Sequence, residues 1–299
     1  MPDAFYQLGL IGYPLGHSRS PAIHTAALAA AGLAGEYRLY PVPPLPEGEA
    51  ALHQVIERLR DGELDGLNVT IPHKQAVLPL LDEYSPAVAQ IGAANTLYRQ
   101  GDRLVGENTD APGFLADLYR LSPELSGGPK TALVLGAGGS ARAVVYALRR
   151  AGFTIWLAAR RLSQAEQIAS QSALARPSPP AIQAILLEAA SIQAVVSRSQ
   201  PPIALIVNTT PLGMAPAIDA SPWPHGIDFP AGAVLYDLVY NPSQTRLVHQ
   251  ASQAGLRAFH GLGMLVEQAA LAFEIWTGRR VPRAALFASL EASPGMETA

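Results

Sequence analysis

The segment TALVLGAGGSARAVVYALRRAGFTIWLAARR, residues 131–161, predicts one complete folding unit. Thr131–Leu135 reads as a buried strand, 136–141 as a glycine loop and Arg142–Arg150 as a helix. A turn follows at Gly152, then a second strand over Thr154–Ala159, closed by Arg160 and Arg161. Gly136, Gly138 and Ala141 fill the G-x-G-x-x-G/A pattern in the strand–helix–strand setting that gives the pattern meaning. The first glycine permits a tight turn, and the second lets the backbone approach a pyrophosphate. The small Ala141 lets helix and strand pack closely. Loop amides and a helix N-terminus then offer partial positive charge to phosphates.

The end of the second strand selects the dinucleotide. An NAD site usually carries Asp or Glu there, roughly 20 residues past the loop, to hold the ribose 2′-hydroxyl. No acid stands at that point in this chain; Arg160 and Arg161 do. A carboxylate would repel a 2′-phosphate, whereas planar guanidiniums bind it through charge-assisted hydrogen bonds. The expected cofactor is NADP(H).

A chain of 299 residues suggests about two domains. Hydrophobic residues make up 49% and charged residues 15%, enough for a sizeable core. The net charge of −3 provides no basic field for nucleic acid. No cysteine is present, which rules out disulfides and thiolate metal sites. The start, Met1-Pro-Asp-Ala-Phe-Tyr, lacks a signal-peptide pattern, and no long uncharged apolar run could cross a bilayer. A cytoplasmic location is expected. Only Lys74 and Lys130 among the 21 basic residues are lysines. A lysine kept in an arginine-using chain points to work arginine cannot do, because arginine does not give up its proton in a protein. Lys130 reads as a surface residue in the loop before the cofactor strand, so Lys74 carries the interest.

The chain alternates strands and helices throughout, which implies an α/β protein with mainly parallel sheets. Leu8–Gly12 reads as a strand, and Ser20-Pro21 as the opening of a helix ending near Gly32, with Ser20 as N-cap. Glu36–Tyr40 is a strand, Gly48–Arg60 a helix and Gly66–Thr70 a strand stopped by Pro72. A helix is expected from about Lys74. Asn95–Arg99 and Arg103–Gly106 read as a hairpin around Gln100-Gly101-Asp102. Past Arg161 the clearest strands are Ala204–Asn208 and Ala233–Leu238. Gly263–Trp276 reads as a long apolar final helix, and the tail from Ser293 as loose. The dinucleotide unit starts near mid-chain, so a substrate domain is expected in front of the cofactor domain, with the ligand cleft between them.

Four segments are unusually polar for their positions: Gly16-His-Ser18-Arg-Ser20-Pro21, Asn68-Val-Thr70-Ile-Pro72-His73-Lys74, Gly92-Ala-Ala-Asn95-Thr96 and Gly106-Glu-Asn108-Thr109-Asp110. Open parallel sheets bind ligands outside the carboxyl ends of their strands. Hydroxyls, amides, one amine and one carboxylate gathered there suit a small polyhydroxylated substrate. Hydride transfer to a ketone leaves an alkoxide that needs a proton, and the reverse removes one. Lys74 and Asp110 are the candidates, with Asp110 orienting the amine. Each residue also has a plainer role: Ser20 as helix cap, Asn95 and Asn108 as turn holders, Lys74 and Asp110 as a structural ion pair. His17 and His73 have no second ligand at metal spacing, so no metal is expected. Gln268 lies in an apolar stripe, four residues after Met264 and three before Leu271, where a buried amide needs either the ligand or backbone as partner.

Taken together, the motifs resemble those of the shikimate dehydrogenases over nearly the whole length. To the four segments above are added 136–141, Tyr236-Asp237-Leu-Val-Tyr240-Asn-Pro242 and Gly261-Leu-Gly-Met-Leu-Val-Glu-Gln268, in the family's order. The resemblance implies reversible NADPH-dependent reduction of 3-dehydroshikimate to shikimate, in chorismate and aromatic amino-acid biosynthesis. It implies Lys74 and Asp110 as the catalytic pair. Ser18, Ser20, Asn68, Thr70, Asn95, Tyr240 and Gln268 would hold or support the substrate. Gly136, Ala137, Gly138, Gly139, Ser140, Ala141, Arg160, Arg161, Leu238 and Gly261 would contact the cofactor. It further implies a discontinuous substrate domain, 1–110 with 261–299, around an N-terminal α/β fold, and a Rossmann-type NADP domain over 111–260.

After the second strand the family commonly carries Asn-Arg-Thr and a later basic residue. Here Ala159, Arg161 and Gln164 depart from that pattern, keeping the charge but moving it. The paired serines favour shikimate over quinate on the resemblance alone. The expected partners are the small-molecule substrate, with no nucleic acid and no membrane; a homodimer is left open. Two other readings compete: a quinate/shikimate dehydrogenase that accepts NAD, and a non-catalytic NADP-binding regulator, which the presence of both Lys74 and Asp110 argues against.

Overall fold

The computed structural model describes residues 5–173 and 181–291, so the tail from Ser293 lies outside the described residues. Contacts divide the chain into two compact units, Met1–Gly113 with Val266–Ala299, and Phe114–Leu265.

The first unit opens with β1 (Phe5–Gly12), α1 (Ser20–Ala31), β2 (Ala34–Pro41), α2 (Glu49–Arg60) and β3 (Gly66–Val69). It continues through β4 (Glu83–Tyr84), α3 (Pro86–Ile91), β5 (Thr96–Gln100) and β6 (Arg103–Glu107) to the start of α4 (Asp110–Leu121). Its sheet runs β2-β1-β3-β5-β6-β4. β1 pairs in parallel with β2 and β3, while β5 runs antiparallel to β3 and β6. β4 pairs in parallel with β6, so this sheet is mixed, with three of its five pairings parallel. The cause is the expected hairpin, whose tight turn at Gly101 forces β6 to reverse beside β5. On α2, Leu52, Val55, Ile56 and Leu59 form one buried stripe at helical spacing and join the core against β1, β3 and β5. Each such side chain contributes about 1.5–3 kcal/mol when fully buried.

Two local expectations fail here. Arg19, not Ser20, is the N-cap of α1; Ser20 is its first residue and is buried. No α-helix begins at Lys74. Turns lead instead to a 3₁₀ helix at Leu78–Leu80, because Pro79 has no N–H to continue an α-helical ladder from Lys74.

The second unit contains β7 (Lys130–Leu135), α5 (Gly139–Arg150), β8 (Phe153–Ala159), α6 (Leu162–Ala173) and β9 (Ile182–Leu186). It goes on to α7 (Ala189–Arg198), β10 (Ile203–Asn208), β11 (Val234–Asp237), α8 (Arg246–Gln253) and β12 (Arg257–His260). All six strands are parallel in the order β12-β11-β10-β7-β8-β9. Counted within the unit this is the 3-2-1-4-5-6 order of dinucleotide-binding sheets. Lys130 is not in a surface loop. It is the first residue of β7, half-buried, with Nζ 6.0 Å from the Phe153 ring centre.

α9 (Leu262–Thr277) carries the chain back to the first unit, where the Trp276 indole donates to the Leu97 carbonyl at 3.0 Å. It is not the last helix. Gly278, at φ 67°, ends it, and α10 (Arg283–Glu291) follows and packs on α1.

His24 of α1 is fully buried, stacked on Tyr37 of β2 at 4.3 Å and 3°, and neither ring nitrogen has a hydrogen-bond partner. Burial drives its pKa down to about 3, against a smaller opposing pull from the nearby Asn68 amide, which lies outside hydrogen-bond geometry. The unfolded chain therefore takes up a proton that the folded chain refuses. The His24 contribution to stability is therefore full above about pH 6.5 and is lost as pH drops toward 3. His24→Phe keeps a stacked ring and removes the proton site. Its urea midpoint should fall less than the wild-type midpoint between pH 6.5 and 4, a difference on the order of a few kcal/mol. Equal losses in the two proteins would remove His24 from the acid response.

Candidate active site

The first unit gathers its polar side chains at the carboxyl end of β3 and the start of α4. Asp110 stands in the first turn of α4, where a carboxylate meets the positive end of the helix dipole. Asn108 fixes that entry: its side-chain oxygen accepts from the Ala111 N–H at 3.2 Å, and its amide donates to the Ala93 carbonyl at 2.9 Å. Asn108 is a turn holder, as its plainer role anticipates. Lys74 reaches in from the loop after β3, and its ammonium lies 2.5 Å from Asp110 Oδ2. The side chains are only 10% and 6% exposed. Two contacts tie the loop down. The Lys74 carbonyl accepts from the Ala94 N–H at 2.8 Å, and His73 Nε2 donates to the Val42 carbonyl at 2.8 Å.

Asn95 joins the pieces. Its side-chain oxygen accepts from the Thr109 N–H at 2.7 Å. Its amide donates to Asp110 Oδ1 at 2.8 Å, to Thr109 Oγ1 at 3.0 Å and to Gln268 Oε1 at 3.3 Å. Gln268 of α9 is buried as its stripe demands, but this partner is a side chain rather than backbone. Asn68 donates to the Asn95 carbonyl at 3.2 Å. Ser18 Oγ accepts from the Ser20 N–H at 3.3 Å, and half-buried Thr70 stands one residue past β3. Lys74, Asp110, Asn95, Asn68 and Gln268 thus form one connected buried network. Tyr240 belongs to the second unit, half-buried beyond β11.

The second unit presents its loop at the carboxyl end of β7. Gly136 has φ 108°, and a Cβ there would lie 2.6 Å from Thr209 Oγ1, so only glycine fits. α5 begins at Gly139, three residues earlier than the sequence suggests, so Gly139, Ser140 and Ala141 form its first turn. Gly138 is the N-cap, with no side-chain cap and no acidic residue in the first turn. A Cβ on Gly138 would meet nothing within 4 Å. These amides fit an anionic pyrophosphate, the group an NADP cofactor would bring. Arg160 and Arg161 follow β8 and are exposed. Gly261 approaches the Leu238 carbonyl so closely that a Cβ would stand 2.3 Å from it.

Residues 10–97 match the family model of the shikimate dehydrogenase substrate binding domain, and 261–286 that of the shikimate 5′-dehydrogenase C-terminal domain. The chain is 45% identical to a shikimate dehydrogenase (NADP(+)) of Salinibacter ruber over 97% of its own length and 99% of the relative's. The chain belongs to the shikimate dehydrogenase family. Its fold is similar to the Thermus thermophilus shikimate 5-dehydrogenase crystallised with NADP(H) and shikimate, at 36% identity and TM-score 0.81, covering 96% and 98% of the two chains. It is also similar to the quinate dehydrogenase of Corynebacterium glutamicum in complex with NAD, at 30% identity and TM-score 0.84, covering 97% and 100%.

One organising group has no role in the sequence reading. Asp237, at the end of β11, is fully buried and accepts from Asn208 Nδ2 at 2.8 Å, the Val239 N–H at 3.0 Å and Thr245 Oγ1 at 2.7 Å. It binds together the segments that follow β10 and β11, including Leu238. An acid closing an apolar strand was the available signal. Burial raises its pKa to about 6, with the three donors opposing. The folded protein thus holds a proton that the unfolded chain releases from about pH 4, and stability falls as pH rises through this window. Asp237→Asn removes that slope. Measured by chemical denaturation, the variant should gain about 3 kcal/mol relative to wild type between pH 4 and 7. A pH-independent difference would place the charge elsewhere.

Proposed function

We propose that this chain catalyses the reversible reduction of 3-dehydroshikimate to shikimate with NADPH, a step toward chorismate and the aromatic amino acids. The observation that carries the proposal is the buried 2.5 Å Lys74–Asp110 pair in a chain of the shikimate dehydrogenase family. The discontinuous unit is the substrate domain, and the unit with the glycine loop is the cofactor domain.

When bound, NADPH supplies the hydride that reaches the ketone carbon. Lys74 gives a proton to the oxygen that becomes the hydroxyl, and in the reverse direction its amine takes that proton back. General acid–base catalysis of this kind is worth roughly 10²–10⁴ in rate. Asp110 orients the ammonium, and Asn95 holds the other carboxylate oxygen so that Asp110 cannot swing away. Ser18, Ser20, Asn68, Thr70, Asn95 and Gln268, with Tyr240, bind the hydroxyls and carboxylate of the substrate. Amides of 136–141 hold the pyrophosphate, Arg160 and Arg161 the 2′-phosphate, and Leu238 and Gly261 complete the cofactor contacts. With Ala159 in place of the family's Asn and Gln164 in place of its later basic residue, the two arginines carry the phosphate recognition.

Lys74→Ala should lower shikimate-dependent NADP reduction by at least about 10²-fold while calorimetry still detects shikimate binding. Near-normal turnover would take Lys74 out of the mechanism. Arg160→Ala should raise the KM for NADP at least about tenfold and leave the KM for NAD unchanged, since it removes one or two charge-assisted hydrogen bonds. An unaltered NADP/NAD preference would refute the phosphate role. Wild-type assays with shikimate and quinate, each with NADP and NAD, separate this activity from an NAD-dependent quinate dehydrogenase.

A further inference from the structure

Tyr37 has no place in the site as described above, yet its hydroxyl ends in it. The side chain is 8% exposed on β2 and donates to Asn68 Oδ1 at 2.8 Å. Asn68 Nδ2 in turn donates to the Asn95 carbonyl at 3.2 Å and to Thr96 Oγ1 at 3.4 Å. Thr96 donates to Asn95 Oδ1 at 3.1 Å, and Asn95 donates to Asp110 Oδ1 at 2.8 Å. Each link has one donor and one acceptor, and the series ends at the carboxylate that holds Lys74.

A carboxamide can sit in two orientations that differ only in which end donates. With Asn68 turned over, its oxygen would oppose the Asn95 carbonyl, whereas the phenol oxygen could still accept from its amino group. The Asn95 carbonyl, which can only accept, selects the orientation, and the Tyr37 hydroxyl supplies the buried donor for the oxygen at the other end. The ring that carries the hydroxyl is itself fixed by the flat stack on His24. Burial moves the phenol far above its ordinary pKa, against a smaller pull from Ser20, so Tyr37 stays a neutral donor.

We propose that Tyr37 is a positioning residue whose hydroxyl anchors the Asn68 carboxamide and, through Thr96 and Asn95, the alignment of the substrate-binding face of the first unit. The proposal rests on the reading that Asn68 and Asn95 hold shikimate.

The test is a double-mutant cycle with Tyr37→Phe, Asn68→Ala and the double variant, assayed with shikimate and NADP. Tyr37→Phe keeps the ring stack and leaves a buried acceptor unpaired. It should raise the shikimate KM about tenfold, with the KM for NADP unchanged. In the Asn68→Ala background it should add nothing, because the group it acts through is gone. A purely structural defect lowers the folded fraction and the maximal rate but not KM. An unchanged shikimate KM in Tyr37→Phe, or a further tenfold rise on top of Asn68→Ala, would overturn the proposal. So would an Asn68→Ala variant with normal KM, which removes Asn68 from the substrate site. Should Tyr37→Phe not fold, the side-chain amide signal of Asn68 in wild-type protein decides: exchange-protected protons support the fixed orientation, and freely exchanging ones overturn it. Wild-type protein inert toward shikimate would instead defeat the proposed function, a different outcome from an active wild type with an insensitive Tyr37→Phe.

Discussion

Two opposite charges held 2.5 Å apart inside a protein offset their desolvation only where the geometry is good and further hydrogen bonds support them. Asp110 meets that condition. One carboxylate oxygen takes the Lys74 ammonium and the other takes the Asn95 amide. The start of α4 adds favourable dipole charge. Remove Asn95 and the carboxylate has an oxygen without its buried donor; remove Asp110 and a buried ammonium stands alone. The rest of the first unit is arranged to keep these three side chains in register, because a buried ion pair gains more from geometry than from attraction.

The scaffold explains how residues so far apart in the chain converge. β3 delivers Asn68 and leads to Lys74, the turn before β5 delivers Asn95, and the exit of β6 delivers Asp110. The antiparallel pairing of β5 with β3 matters here. It places Asn68 opposite Thr96. The second unit solves a simpler problem. Its wholly parallel sheet puts every loop of one end on the same side, and the glycine turn after β7 and the Asp237-braced turn after β11 both stand at strand carboxyl ends.

The second unit was the more legible of the two. The glycine pattern is a local backbone requirement, visible as Gly136, Gly138 and Ala141 without knowledge of any contact. Even so, α5 starts three residues early, since glycine and serine are poor helix formers and hide the helix start in the sequence. In the first unit Lys74 and Asp110 stood out by residue type and position, while the helix expected at Lys74 did not form because Pro79 interrupts it. Tyr37 and Asp237 were not read as functional. A tyrosine in a strand and an acid at a strand end are ordinary in sequence, and only their buried partners give them meaning.

The residue order alone determined the cofactor class, the polar clusters and the candidate amine and carboxylate, because these depend on side-chain chemistry and on short spacings that the backbone translates directly into turns and helix ends. Tertiary structure decided which donor faces which acceptor: that Asn95 donates both to Asp110 and to Gln268, 173 residues further along the chain, and that the Tyr37 hydroxyl on β2 reaches Asn68 on β3 although β1 runs between the two strands. Such pairings arise when strands distant in the chain are brought side by side and water is removed, and no local pattern encodes which buried hydrogen bonds will then be made.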